Sequence, residues 1–122
     1  MDINTICSLR KGEVMEKKVL GRIGEDMAAE MLKADGYEII RRNYYTRYGE
    51  IDIIASKGDV VYFCEVKTRM NLDYGLPREA VTRTKVHHMK RAAAEFLMEL
   101  GEIPDIDFMI IEIYADMISE FF

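Results

Sequence analysis

Residues 49–69 read GEIDIIASKGDVVYFCEVKTR, from Gly49 to Arg69. Two runs rich in β-branched and aromatic residues flank Ser56-Lys57-Gly58-Asp59, whose composition is that of a hairpin turn. The spacing predicts strands over Tyr48–Ala55 and Val60–Val66. Asp52, Glu65 and Lys67 interrupt these apolar runs, where charge is unfavourable without partners. Side chains alternate along a strand, so Glu65 and Lys67 share a face with Phe63, and Val66 points the other way. A tight turn at Lys57-Gly58 sets Asp52 opposite Glu65 or one residue from it.

The segments outside the hairpin complete an α/β pattern. Leu20, Ile23, Met27 and Met31 recur at helical spacing within a helix predicted over Glu16–Asp35, and Gly36 is its C-terminal cap. Tyr37–Ile40 reads as a short strand that Arg41-Arg42-Asn43 interrupts. Met70–Pro77 reads as a loop. A second helix over Glu79–Leu100 aligns Val86, Met89, Ala93, Phe96, Leu97 and Leu100. Ile106–Tyr114 is apolar at nearly every position, as for a strand inside a sheet and covered on both faces. A mixed central sheet flanked by helices fits this order.

At 122 residues with no long linker, the chain is expected to be a single domain over 1–122, with roughly the first 15 and last 8 residues peripheral. No apolar run approaches the ~18 residues of a membrane span. The N-terminus has no apolar core typical of a secretion signal, so no membrane association and a cytoplasmic location are expected. Cys7 and Cys64 lack metal-type spacing, and Cys64 reads as a buried, inert thiol. The formal charge of −5 disfavours nucleic acid, but it is unevenly spread. Arg41–Arg91 holds 11 basic and 6 acidic side chains, a net of +5, and the remainder holds 6 and 16, a net of −10. A basic middle face follows, or else an ordinary solvated surface.

Two carboxylates held together repel each other, and a divalent cation relieves that repulsion. Few oxygen ligands with open water positions suit Mg²⁺ or Mn²⁺, and the Val66 carbonyl is an additional donor. With Lys67 alongside, the set outlines phosphodiester hydrolysis. A plain cross-strand ion pair among Asp52, Glu65 and Lys67 is the alternative that three charged residues alone leave open. The adjacent His87 and His88 diverge by about 100° on a helix and do not suggest a chelate.

An ordered series of short motifs narrows these alternatives. It comprises Gly21-Arg22-Ile23-Gly24-Glu25 with Ala28, Gly36-Tyr37, Arg42-Asn43, Gly49-Glu50-Ile51-Asp52, Glu65-Val66-Lys67-Thr68-Arg69, Val81 with Lys85, and the strand of Asp107. From about Leu20 to Ile113 the chain resembles the YraN-like family of small bacterial proteins. That family is assigned to the restriction-endonuclease-like superfamily with the PD-(D/E)xK core and is similar to archaeal Holliday junction resolvases. The resemblance implies a restriction-endonuclease-like fold and a metal-dependent endonuclease acting on DNA, branched or single-stranded. It implies Asp52 and Glu65 as metal ligands, Lys67 as the catalytic lysine, and Glu25 as a further catalytic acid and additional metal ligand. Arg42, Arg47, Arg69 and Lys85 are candidates for nucleic-acid contact. Glu50 is a candidate partner for Arg42, Arg47 or Arg69. The resolvase likeness implies a homodimer, with Tyr44, Tyr45 and Phe121-Phe122 as apolar surface candidates. Tyr45 and Asp105 stand where family members often carry basic residues. Those lost positive charges favour a second reading: a non-catalytic module that binds nucleic acid or a DNA-processing protein.

Overall fold

The computed structural model describes residues 14–69 and 82–114. Helix α1 (Val14–Ala34) leads into strands β1 (Glu38–Thr46), β2 (Gly49–Lys57) and β3 (Val60–Arg69). Helix α2 (Arg83–Leu100) and strand β4 (Asp105–Tyr114) follow. The four strands form one mixed sheet in the order β1-β2-β3-β4. The first three are antiparallel neighbours, and α2 is the crossover that makes β4 parallel to β3. The expected loop at Met70–Pro77, residues Glu79–Val81 of the expected second helix, Cys7 and Phe121-Phe122 lie outside the described residues.

Backbone chemistry sets the element ends. Gly36 takes φ 90°, and Tyr37 N–H returns to the Leu32 carbonyl at 2.9 Å, closing α1 with a left-handed glycine. Thr82 caps α2 by accepting the Lys85 N–H at 3.1 Å, and Gly101 ends that helix at φ 78°. The central hairpin pairs Lys57 with Val60, so its two-residue turn is Gly58-Asp59, one position later than expected. Gly58 has φ 61°, the sign that a type II′ turn requires at its first central residue.

Each face of the sheet buries its own core. Ala28, Ala29 and Leu32 of α1 pack on Ile53, Ala55 and Cys64, with Leu20, Met27 and Ile113 in an adjoining cluster. Met31, expected on this stripe, is exposed, and Leu32 points inward instead. On the other face, Ala92, Ala93 and Phe96 of α2 meet Tyr44, Ile51, Ile54, Val61 and Phe63. Tyr44 is therefore a core residue, not the surface candidate expected for a dimer contact, and it meets Phe96 edge-to-face at 5.7 Å. Cys64 is fully buried, and burial raises its thiol to about 11, in keeping with an inert role.

Two expectations about strands are corrected. β1 does not stop at Ile40: it continues through Arg41–Thr46, with a shift in register between Ile39 and Arg41. Its arginines reach outward to pair with the helices, so charge did not end the strand. β4 is not enclosed, because it forms an edge of the described sheet, and Ile106 and Ile110 stay exposed. Alternate residues Met109, Ile111 and Ile113 pack toward α1, while on the opposite face Phe108 reaches Phe63. Among the described residues no helix is long and apolar enough to cross a membrane.

Candidate active site

The sheet opens around Asp52. The β2–β3 ladder runs in register from Lys57–Val60 to Ile53–Cys64 and goes no further. One step on, the same register sets Asp52 opposite Glu65, which follows from the Gly58-Asp59 turn; a turn at Lys57-Gly58 would have set it opposite Phe63. On its other side, Arg42 pairs with Ile53 and Tyr44 with Ile51, which leaves Asn43 opposite Asp52 as a skipped pair. Asn43 takes φ 51°, a left-handed conformation that Asn tolerates better than most residues. Strand alternation slips here as well: Ile51 packs toward α2, whereas Ile53, two residues on, packs toward α1. Asp52 thus sits in a gap in both ladders.

That gap gives the Asp52 carboxylate a fixed place. Its Oδ2 accepts the Val66 N–H at 2.7 Å, a donor the ended ladder would otherwise leave without a strand partner. Partial burial pushes the carboxyl up from 3.8 to about 6. The Val66 hydrogen bond opposes this rise, and the negative charges of Glu25, Glu50 and Glu65 add to it.

Three elements bring those acids in. Glu25 is half-buried on α1, and its Oε1 accepts from Asn43 Nδ2 at 3.2 Å. Glu50 Oε1 accepts from the same nitrogen at 2.6 Å. Neither Arg42, Arg47 nor Arg69 is its partner: Asn43 is, and it ties α1 to β2 beside Asp52. In the sequence Asn43 stands out only as part of the Arg42-Asn43 motif, although an Asn breaking an apolar strand is itself a signal of left-handed backbone. Gly24, next to Glu25, lets the helix approach: a Cβ there would lie 2.0 Å from Thr68 Oγ1 on β3.

Glu65 lies on the α2 side of the site. Its Oε1 is 3.8 Å from Lys67 Nζ and in direct contact with Lys85 Nζ. The expected neighbours Glu65 and Lys67 are therefore together, joined by Lys85 from the first turn of α2. The other basic candidates have separate partners. Arg42 reaches Asp26 at 2.8 Å, Arg69 reaches Glu112 at 3.6 Å, and Arg47 donates to the Tyr48 hydroxyl at 2.9 Å. Arg42, Asn43, Glu25 and Glu50 line a groove of about 500 Å³ on one side of the acids. Tyr48, Lys85, His88 and Glu50 line a cleft of about 210 Å³ on the other.

Asp52 and Glu65 suit a hard divalent cation by donor type, and the Asp52 carboxyl, raised first by burial and then by the neighbouring acids, is one whose charged form such a cation would favour. Among the described residues no three His, Cys, Asp or Glu side chains already converge as a metal cage. Two carboxylates, a carbonyl and water are the sparse set that Mg²⁺ accepts.

Comparison with known sequences places this chain among relatives of similar length. A family profile described as "Uncharacterised protein family UPF0102" matches residues 24–113, which span α1 from Gly24 through most of β4. A UPF0102 protein of Caldicellulosiruptor saccharolyticus is 43% identical over 107 residues, covering 87% of this chain and 91% of the relative. One from Syntrophomonas wolfei is 42% identical over 98 residues, covering 80% and 85%. One from Rhodococcus opacus is 52% identical over 80 residues, covering 66% and 68%. The matched span carries every acid of the site described above, and the chain belongs to the UPF0102 family.

Proposed function

We propose that the protein is a metal-dependent endonuclease that hydrolyses DNA phosphodiester bonds, with the PD-(D/E)xK arrangement of the restriction-endonuclease-like superfamily. The observation that carries this reading is Asp52, held in the gap between β1 and β3 with its carboxyl raised to about 6 among Glu25, Glu50 and Glu65. Asp52, Glu65 and the Val66 carbonyl would hold Mg²⁺ or Mn²⁺, with Glu25 as a further acid on the α1 side. A bound divalent cation supplies polarisation of the phosphate and a lower pKa for an attacking water. The Val66 N–H fixes the orientation of Asp52. Lys67, within 3.8 Å of Glu65, carries positive charge toward phosphate oxygens that become more negative during attack. Asn43 keeps Glu25 and Glu50 in place.

Cleavage of a DNA panel (duplex, single strand, flap, four-way junction) with Mg²⁺ and with Mn²⁺ tests the reading. Activity is expected in the wild type, with a loss of at least about a hundredfold in Asp52→Ala and Lys67→Ala, the scale of losing a charge-stabilising group. Undiminished cleavage in Asp52→Ala would falsify the assigned site.

One observation favours a second reading, a non-catalytic DNA-binding or protein-interaction module in DNA processing. Glu65 is already neutralised by Lys67 and Lys85, as in a structural ion cluster. That reading predicts DNA binding that survives Lys67→Ala and no turnover with either metal.

A further inference from the structure

Beside the cleft on the α2 side of the acids, and joined to it by Tyr48 of its lining, stands a cationic feature that hydrolysis at Asp52 leaves unused. Tyr48 lies in the turn between β1 and β2. Thr46 Oγ1 fixes that turn by accepting the Tyr48 N–H at 3.0 Å and donating to the Gly49 carbonyl at 2.9 Å. The Tyr48 hydroxyl accepts from Arg47 at 2.9 Å and from Arg91, on α2, at 3.2 Å. The two guanidinium carbons lie 5.0 and 5.2 Å from its ring centroid. Hydrogen bonds from Arg91 and then Arg47 lower the phenol below its usual range.

Two like charges therefore converge on one neutral oxygen. Among the described residues neither guanidinium pairs with a carboxylate. Glu50 lines the same cleft, but Asn43 donates to it at 2.6 Å. A phenol cannot balance two positive charges, whereas a phosphate can accept from both forks. Both guanidiniums lie over the half-buried Tyr48 ring, and the part of that ring that lines the cleft is the aromatic surface open to a ligand. Lys85, which also lines this cleft, contacts Glu65, so the cleft adjoins the candidate active site.

We propose that Tyr48 and the two arginines beside this cleft bind an unpaired nucleotide of the DNA substrate, its phosphate held by Arg47 and Arg91 and its base laid in the cleft against the part of the Tyr48 ring that lines it. The assignment rests on the hydrolysis reading for its choice of DNA and deepens it by naming the substrate class: DNA with single-stranded character. Bases inside a duplex are stacked on one another and cannot offer a face to Tyr48, whereas an unpaired base can.

Fluorescence anisotropy with dye-labelled oligothymidylate and a blunt duplex, in EDTA, tests this on the full chain. Tyr48→Ala is expected to weaken oligothymidylate binding by about tenfold and to leave duplex binding unchanged. Tyr48→Phe, which keeps the ring, should stay within about twofold of wild type. Arg47→Gln and Arg91→Gln alter exposed side chains, so they probe the site even if Tyr48→Ala unfolds. Each should weaken oligothymidylate binding and lower the slope of log affinity against log salt by about 0.7, as for one lost phosphate contact on a single strand. Thermal melts establish that each variant folds. The proposal is overturned if the wild type does not bind oligothymidylate, if both arginine variants bind it as the wild type does, or if folded Tyr48→Ala loses nothing or loses duplex binding equally. The metal-dependent cleavage assay is read separately. Absent cleavage with the expected binding pattern removes the hydrolysis reading and leaves this cleft standing as a single-strand site.

Discussion

At Asp52 a single carboxyl connects the fold to the proposed chemistry, and its titration has an unusual sign. Its folded value of about 6 exceeds the ordinary 3.8, so the native state binds more protons between those values. Stability of the metal-free protein therefore falls as pH rises through that window, and the penalty is complete above about 6. The shift corresponds to about 3 kcal/mol, which partial exposure reduces to ~1–2 kcal/mol. In EDTA, Asp52→Asn should accordingly be ~1 kcal/mol more stable than wild type at pH 8 and equal to it near pH 3.5, read from urea midpoints. Equal midpoints at pH 8 would show that the carboxylate is not strained. Alternation along β3 made Glu65 and Lys67 legible as neighbours, and register made Asp52 legible as their partner. Asn43 was less legible, because its role follows from a φ of 51° and from two acids brought together by folding. No spacing rule links Asn43 to Glu25, 18 residues earlier, on a different element.

Among the elements, the contact of α1 with β3 positions Glu25 and depends on Gly24. An alanine Cβ at this position would stand 2.0 Å from Thr68 Oγ1, too close to be accommodated unless the helix or the threonine moves. Gly24→Ala would ordinarily gain helix propensity of up to ~1 kcal/mol. Here overpacking should dominate, giving a net loss of ~1–3 kcal/mol. Thr68→Ala removes the obstructing hydroxyl, so the double substitution should recover most of that loss in a double-mutant cycle measured by chemical denaturation. Additive losses would mean that the close approach does not constrain α1. The helical periods were readable, but their inward faces were only partly so. Met31 and Leu32 are adjacent and both apolar, and the sheet beneath α1 decides between them. Similarly, the apolar run of β4 suggested a central strand. Its edge position follows from strand order, which local sequence does not encode.

Across the whole molecule, charge is segregated in a way that should separate long-range steering from contact. The net charge of −5 opposes DNA approach, while Arg47, Lys85 and Arg91 gather near one end of the hairpin. Exposed Glu102 and Asp105 lie toward the other: Asp105 pairs with Val60 at the start of β3, five residues before Glu65, or roughly 16 Å along the strand. That separation exceeds the Debye length of about 8 Å at 0.15 M salt. Changing both to Lys adds two charges at each site and takes the net from −5 to −1. Association with DNA should then accelerate severalfold at 0.01 M salt, where the Debye length is about 30 Å, and lose nearly all of that gain at 0.15 M. Dissociation should change little, because neither residue lines the cleft or bonds to a residue that does, as Arg91 does through Tyr48. Arg91→Gln should behave oppositely, speeding dissociation at both salt concentrations because its effect is a lost contact. Stopped-flow binding of labelled oligothymidylate separates the two rates. A gain from the double Lys variant that persists at 0.15 M would mean that the Glu102–Asp105 end itself touches DNA, which would place the substrate along the full length of the hairpin.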